Sequence, residues 1–104
     1  MKYFVLEGKH LVPLTEIPTE LRQAHFDFLE AGIDAGHFLA SGPKVGGDGG
    51  FLLARAESRE DLDSLLSTEP FTANNVMVFE TVQEFFPRQN APFAEGWFGS
   101  TTSM

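Results

Sequence analysis

Apolar residues recur along the chain with two spacings, which together predict alternating strands and helices. Short β-prone apolar runs predict four strands, at 2–8, 37–41, 51–56 and 74–86. Between 18 and 35, apolar side chains fall on one side of a helix and acidic ones on the other, which is typical of an amphipathic helix. Ser58 begins a second helix that runs to about Ser67, with an acid three residues later in a variant of the capping box.

This βαββαβ order predicts a ferredoxin-like α+β fold, with a four-stranded antiparallel sheet and both helices on one face. The last strand has apolar residues on both faces, which favours a central position in the sheet. The second sheet face has no predicted cover within the chain. Since monomers avoid large exposed apolar patches, we expect a homodimer that packs sheet face against sheet face.

The chain divides at about residue 86. Residues 1–86 hold all the predicted elements, and 87–104 read as an extended C-terminal tail rich in Pro, Gly, Ser and Thr. The tail carries Phe93, Trp97 and Phe98, which we expect to cover part of the open sheet face, on the same subunit or on the partner.

Charge and composition narrow the classes of partner. Seven basic residues against fifteen acidic ones give a formal charge of −8, so nucleic acid and anionic membrane surfaces are not expected partners. The chain has no cysteine and no apolar run that approaches a membrane span. The apolar stretch at the N-terminus is too short for a signal peptide and is soon followed by a charged residue, so the expected location is cytoplasmic.

His25 is the leading candidate for chemistry, because it falls on the inner face of the first helix. A histidine there is either a core residue with one hydrogen bond to the backbone, or an acid–base group tuned by its surroundings. Glu69 lies on the turn before the last strand, where the fold brings it towards His25. The pair therefore predicts a His–carboxylate site in which the acid orients the imidazole.

Other candidates would complete a pocket for a small molecule. Ser41, Gly42 and Pro43 end the second strand, and a hydroxyl beside an open backbone suits a substrate oxygen. Phe28 and Phe71 are expected to form an apolar wall. A metal site formed by His10, His25 and His37 is a weaker alternative. His10 is expected in a loop and His37 at the start of a strand, and the spacing of the three histidines follows no metal motif.

Several short segments resemble the YCII-related (YciI-like) family. They are 22–25, 36–43, 50–53, 69–71 and the strand 76–80. The resemblance covers residues 2 to about 86. It implies a dimeric ferredoxin-like fold related to the dimeric α/β barrels, and a pocket built on a histidine and an acid, which by motif position are His25 and Glu69. The family usually has Asp where this chain has Glu69.

Two functions are compatible with these observations. The first is a small acid–base enzyme, a lyase or isomerase, acting on an aromatic or enol-like molecule and requiring no metal or organic cofactor. One branch of the family resembles a dehydrochlorinase, which implies that the scaffold supports acid–base elimination. The alternative is a dimer that binds a small ligand or a protein without turning anything over.

Overall fold

A computed structural model describes residues 1–99 as one antiparallel sheet with its two long helices on one face. The strands are β1 (Lys2–His10), β2 (Phe38–Pro43), β3 (Gly50–Ala56) and β4 (Met77–Phe85). The helices are α1 (Thr19–Asp34), α2 (Arg59–Leu66), α3 (Pro70–Ala73) and α4 (Glu95–Phe98). The sheet order is β2-β3-β1-β4, with all neighbours antiparallel. The predicted ferredoxin-like fold is therefore confirmed.

Alternation along β1 separates the two sheet faces. Phe4 and Leu6 are fully buried and point towards the helices, where they pack with Leu52 and Ala54 of β3. Val5, between them, lies on the opposite face and remains 39% exposed. This period of two is what places one set of side chains in the core.

The two long helices cover the same sheet face. Leu62 and Leu66 of α2 are buried in the core cluster that also contains Phe38, and Phe28 of α1 packs against it. Gly32 of α1 is buried directly over Phe38, and a Cβ atom at that position would overlap the phenyl ring. The absence of a side chain at Gly32 therefore sets how closely α1 approaches β2.

The expectation that the last strand is central is wrong, because β4 lies at one edge of the sheet. Its apolar residues have separate explanations on the two faces. Met77 and Phe79 pack under the helices in a small cluster, whereas Phe85 packs beneath the C-terminal tail. Val78 stays 41% exposed on the open face. Apolar residues thus occur on both faces of β4 because the helices cover one face and the tail covers part of the other, and not because the strand is central.

Two local features near the site differ from the sequence-based expectation. β1 continues to His10, so this histidine ends a strand and does not lie in a loop. After α2 ends at Leu66, Glu69 begins a further helix of one turn, α3, which the spacing did not predict. A single turn is too short to show helical periodicity in a sequence.

The tail folds back onto its own chain in the part that the structure describes. Trp97 and Phe98 pack on Tyr3 of the open face, and the hydroxyl of Tyr3 donates to the carbonyl of Phe98 at 2.6 Å. Arg55 donates to the carbonyls of Gly36 and Trp97. Phe93, by contrast, is almost fully exposed. The predicted tail is extended only in part, since it includes α4, and its residues 100–104 lie outside the described residues.

The tail covers one end of the open face and leaves the rest accessible. Phe51 remains 49% exposed there, in the same row of the sheet as Glu7 and Thr81. Within residues 1–99, no helix has both the length and the apolar character needed to cross a membrane.

The contact of Gly32 with Phe38 leads to a stability prediction. Replacing a helical glycine by alanine normally stabilises a helix, by up to about 1 kcal/mol. Gly32→Ala should instead lower the free energy of unfolding, by about 1–3 kcal/mol, because the new methyl group forces the phenyl ring aside. Gly96→Ala, which meets open space in α4, is the matched control. Urea unfolding curves in which both variants are as stable as the wild type would contradict this packing.

Candidate active site

His25 projects from the middle of α1 towards the short helix α3. Its side chain is 15% exposed, so the imidazole is not sealed in the core. Nδ1 of His25 hydrogen-bonds to Oε1 of Glu69. Because an ionised carboxylate has no proton to give, the hydrogen of this bond is carried by Nδ1. Nε2 is then the nitrogen that His25 can offer to a ligand.

Glu69 is a fully buried acid, and the local backbone explains how it is held. It is the residue before α3, and its Oε2 accepts a hydrogen bond from the backbone N–H of Thr72 at 2.7 Å. Burial on its own would raise the pKa of Glu69. The bond from His25, together with backbone bonds from Thr72 and Phe71 and the electrostatic attraction of the His25 ring, outweighs burial and holds the pKa below its usual value of 4.5. The carboxylate is therefore ionised near neutral pH.

Phe71 fixes the second face of the imidazole. Its ring stacks on that of His25 with centroids 3.8 Å apart and planes inclined by 1°. Phe71 is itself buried, beside Ile17 and Met77. The His25 ring is thus positioned by a charge at one nitrogen and by an aromatic plane, both supplied by α3.

A cavity of about 400 Å³ opens beside these rings. His25, Phe71, Ser41, Gly42 and Pro43 all line it, so the structure brings these predicted site residues together. Glu69 stands behind His25 and does not reach the cavity. Most of the remaining lining is apolar, from Leu14, Phe26, Leu29, Leu52, Met77 and Phe79.

Phe28 does not form the expected apolar wall. Its ring packs against Phe38, with centroids 6.0 Å apart, and belongs to the core under the helices. At about 100° per residue, Phe28 lies about 60° to one side of His25 around the helix, whereas Leu29 and Phe26 lie to the other side. Leu29 and Phe26 take the lining role instead.

His10 is a lining residue that the sequence analysis placed in a loop and gave little weight. It ends β1 opposite Met77, and its Nδ1 lies 3.0 Å from Oδ1 of Asp48 in the glycine-rich turn. His37 faces a different hollow, beside Arg55, so the three histidines do not converge. Among residues 1–99, no cluster of three or more His, Asp or Glu side chains is arranged to hold a metal ion.

The arrangement suits proton transfer to or from a small apolar ligand. An imidazole with Nδ1 fixed by a buried carboxylate presents Nε2 as a base, and the carboxylate stabilises the imidazolium formed when Nε2 accepts a proton. The apolar lining limits competing hydrogen bonds from water and strengthens these charge interactions.

The sheet order, with both long helices on one face, defines a ferredoxin-like α+β protein. The family model of the YCII-related domain matches residues 1–85, and the chain belongs to this family. The match ends at the last residue of β4, so the tail that follows lies beyond it.

One solved structure with this fold is 5-chloro-2-hydroxyhydroquinone dehydrochlorinase (TftG) from Burkholderia phenoliruptrix AC1100, in complex with 2,5-dihydroxybenzoquinone. It is 22% identical to this chain, with a TM-score of 0.62, and the match covers 80% of this chain and 90% of that one. At this identity the likeness shows the fold. No curated protein matches the sequence.

The lowered pKa of Glu69 predicts how stability depends on pH. In the unfolded chain the carboxyl group titrates near 4.5, and in the folded protein below that value. Its contribution to stability is therefore complete above about pH 4.5 and is lost as the pH falls through the folded pKa. Glu69→Gln should lower the free energy of unfolding by about 1.5–3 kcal/mol near neutral pH, because it removes a charged hydrogen-bond acceptor.

The wild type and Glu69→Gln should differ less in free energy of unfolding as the pH falls below about 4.5. Urea unfolding curves recorded from neutral to acidic pH measure this difference. Glu30→Gln, an exposed acid of α1, is the control and should track the wild type at every pH. A gap between wild type and Glu69→Gln that stays constant down to the lowest pH would show that Glu69 is not held as an anion.

Proposed function

We propose that the protein is a small acid–base enzyme, a lyase or isomerase, that acts on an aromatic or enol-like molecule through His25. One observation carries this proposal: His25 is held by the buried Glu69 carboxylate while its ring lines an apolar cavity. A merely structural histidine does not need both an ionised partner and access to a cavity of this size.

The proposed reaction begins when Nε2 of His25 accepts a proton from a carbon next to a carbonyl, or from an enolic hydroxyl conjugated with one. The electron pair left behind moves onto the carbonyl oxygen, which is stabilised by the Ser41 hydroxyl and the backbone around Gly42. In an isomerisation, the imidazolium then returns the proton to another atom. In an elimination, the electron pair returns from the oxygen to the ring and expels an anionic group, and the imidazolium afterwards releases its proton to water. Glu69 keeps the imidazolium oriented throughout.

The structural neighbour supports this class of reaction. It is described as a dehydrochlorinase of a chlorinated hydroxyhydroquinone, and its structure contains 2,5-dihydroxybenzoquinone. Loss of hydrogen chloride is an elimination, and both molecules are small oxygenated rings. A ring of this size fits within a cavity of about 400 Å³.

We further propose that the protein is a homodimer formed through the open sheet faces. Val5, Phe51 and Val78 lie on that face and are 39%, 49% and 41% exposed. They flank the region that the tail leaves uncovered. Burial of these side chains against a second copy removes apolar surface that a monomer would present to water.

His25→Asn tests the acid–base role while keeping a hydrogen-bond donor for Glu69. The variant should slow proton exchange at the ring carbons of 2,5-dihydroxybenzoquinone in D₂O by about a hundredfold or more, because the amide cannot accept the proton. Exchange is followed by NMR, and chloride release from 5-chloro-2-hydroxyhydroquinone gives a second readout. Glu69→Gln should slow both reactions by a smaller factor.

His37→Gln is the matched control, since His37 lies outside the cavity, and it should react like the wild type. Circular dichroism and thermal unfolding establish that each variant is folded. Full activity of His25→Asn would exclude His25 as the base. If 2,5-dihydroxybenzoquinone raises the Tm of the wild type but neither reaction is accelerated, the protein is the non-catalytic binding dimer of the alternative.

Val5→Glu tests the dimer. A charge placed in the centre of the open face should shift the protein in sedimentation velocity from twice its chain mass of 11.5 kDa towards a single chain. Val45→Glu, at a fully exposed position of the turn between β2 and β3, removes the same apolar side chain and should leave the dimer intact. A wild type that sediments as a monomer at micromolar concentration would refute the proposed interface.

A further inference from the structure

The polar groups of the cavity limit what it can bind. Among its side chains only His10, His25 and Ser41 are polar, and no Lys or Arg of residues 1–99 lines it. A phosphorylated or multiply charged ligand would find no cation there, in a chain of net charge −8. The lining instead suits a flat apolar ring that carries a few oxygen atoms.

His10, like His25, is a half-buried imidazole that lies against a carboxylate. Nδ1 of His10 lies 3.0 Å from the exposed carboxylate of Asp48, whereas Nδ1 of His25 hydrogen-bonds to the buried Glu69, and each imidazole side chain is 15% exposed. Both rings also contact Phe71: His25 stacks on it, and His10 meets it at 74° with centroids 6.0 Å apart. The cavity is therefore bordered by two imidazoles that both contact the ring of Phe71.

The glycine-rich turn brings Asp48 to His10. The next residue, Gly49, has φ +96°, and a Cβ atom there would overlap the carbonyl oxygen of Gly8 in β1. The turn can lie this close to β1 only because Gly49 has no side chain. The close approach of the turn to β1 thus brings Asp48 next to His10, although the Asp48 side chain itself is 61% exposed.

We propose that His10 is a second ligand-binding residue and that the cavity takes a small aromatic or quinonoid ring with two oxygen functions, one at His25 and the other at His10. The role of His25 in this inference rests on the proposed function. A neutral His10 accepts a hydrogen bond at its unprotonated ring nitrogen from a ligand hydroxyl. When protonated, it donates to a carbonyl or phenolate oxygen. Both oxidation levels of such a ring can therefore bind.

The test compares the affinity of one-oxygen and two-oxygen rings by calorimetry. The probes are phenol and the three dihydroxybenzenes, catechol, resorcinol and hydroquinone. The best dihydroxybenzene should bind the wild type about tenfold more tightly than phenol, which is about 1.4 kcal/mol for one added hydrogen bond. His10→Phe keeps a ring against Phe71 but has no nitrogen, and it should abolish this preference. His37→Phe should keep the wild-type preference.

Asp48→Asn is the second variant, because it leaves the histidine in place and removes its carboxylate anchor. It should reduce the preference less than His10→Phe does. An unchanged preference in folded His10→Phe, or equal affinity of the wild type for all four probes, would overturn the inference. Neither outcome depends on turnover, so a failure of the acid–base proposal, seen as absent proton exchange, remains distinguishable.

Discussion

The site depends on a buried carboxylate that has to remain satisfied. An ionised acid removed from water is costly unless it is paired and hydrogen-bonded. Glu69 meets this requirement with His25 at one oxygen and the Thr72 N–H at the other. Since the imidazole is a partner that Glu69 cannot lose without leaving a charge buried, His25 is fixed in direction and tautomer before any ligand arrives.

The pairing of Glu69 with His25 also connects the two halves of the fold. His25 belongs to α1, in the first βαβ segment, and Glu69 follows α2 in the second. The two residues are 44 positions apart in sequence and meet only when both helices pack on the same sheet face. The site is therefore a product of the tertiary fold and is absent from either half alone.

Much of the fold and of the candidate site could be predicted from the sequence, wherever a periodic pattern or a family motif indicates the structure. The strands, the two long helices, and the approach of Glu69 to His25 follow from such signals. His10 was underestimated because strand ends carry little pattern, and its partner Asp48 lies in a glycine-rich turn without periodicity. The edge position of β4 was missed because apolar side chains on both faces of a strand do not identify what covers each face. Phe28 shares the inner face of α1 with His25, and periodicity alone does not show that its ring turns towards Phe38 and away from the cavity.

Glu69 caps the N-terminus of α3 and Phe71 lies within its single turn, so the ring that stacks on the imidazole and the carboxylate bound to Nδ1 are held by one short segment. A change in α3 would displace both supports together, and this wall of the cavity has little freedom to vary. The opposite wall is different: a methyl group added at Gly42 would meet no other atom within 4 Å. The volume and shape of the cavity can thus be altered from the side of β2 while His25 and Glu69 stay in place, so a substitution there would change which molecules fit without displacing the imidazole.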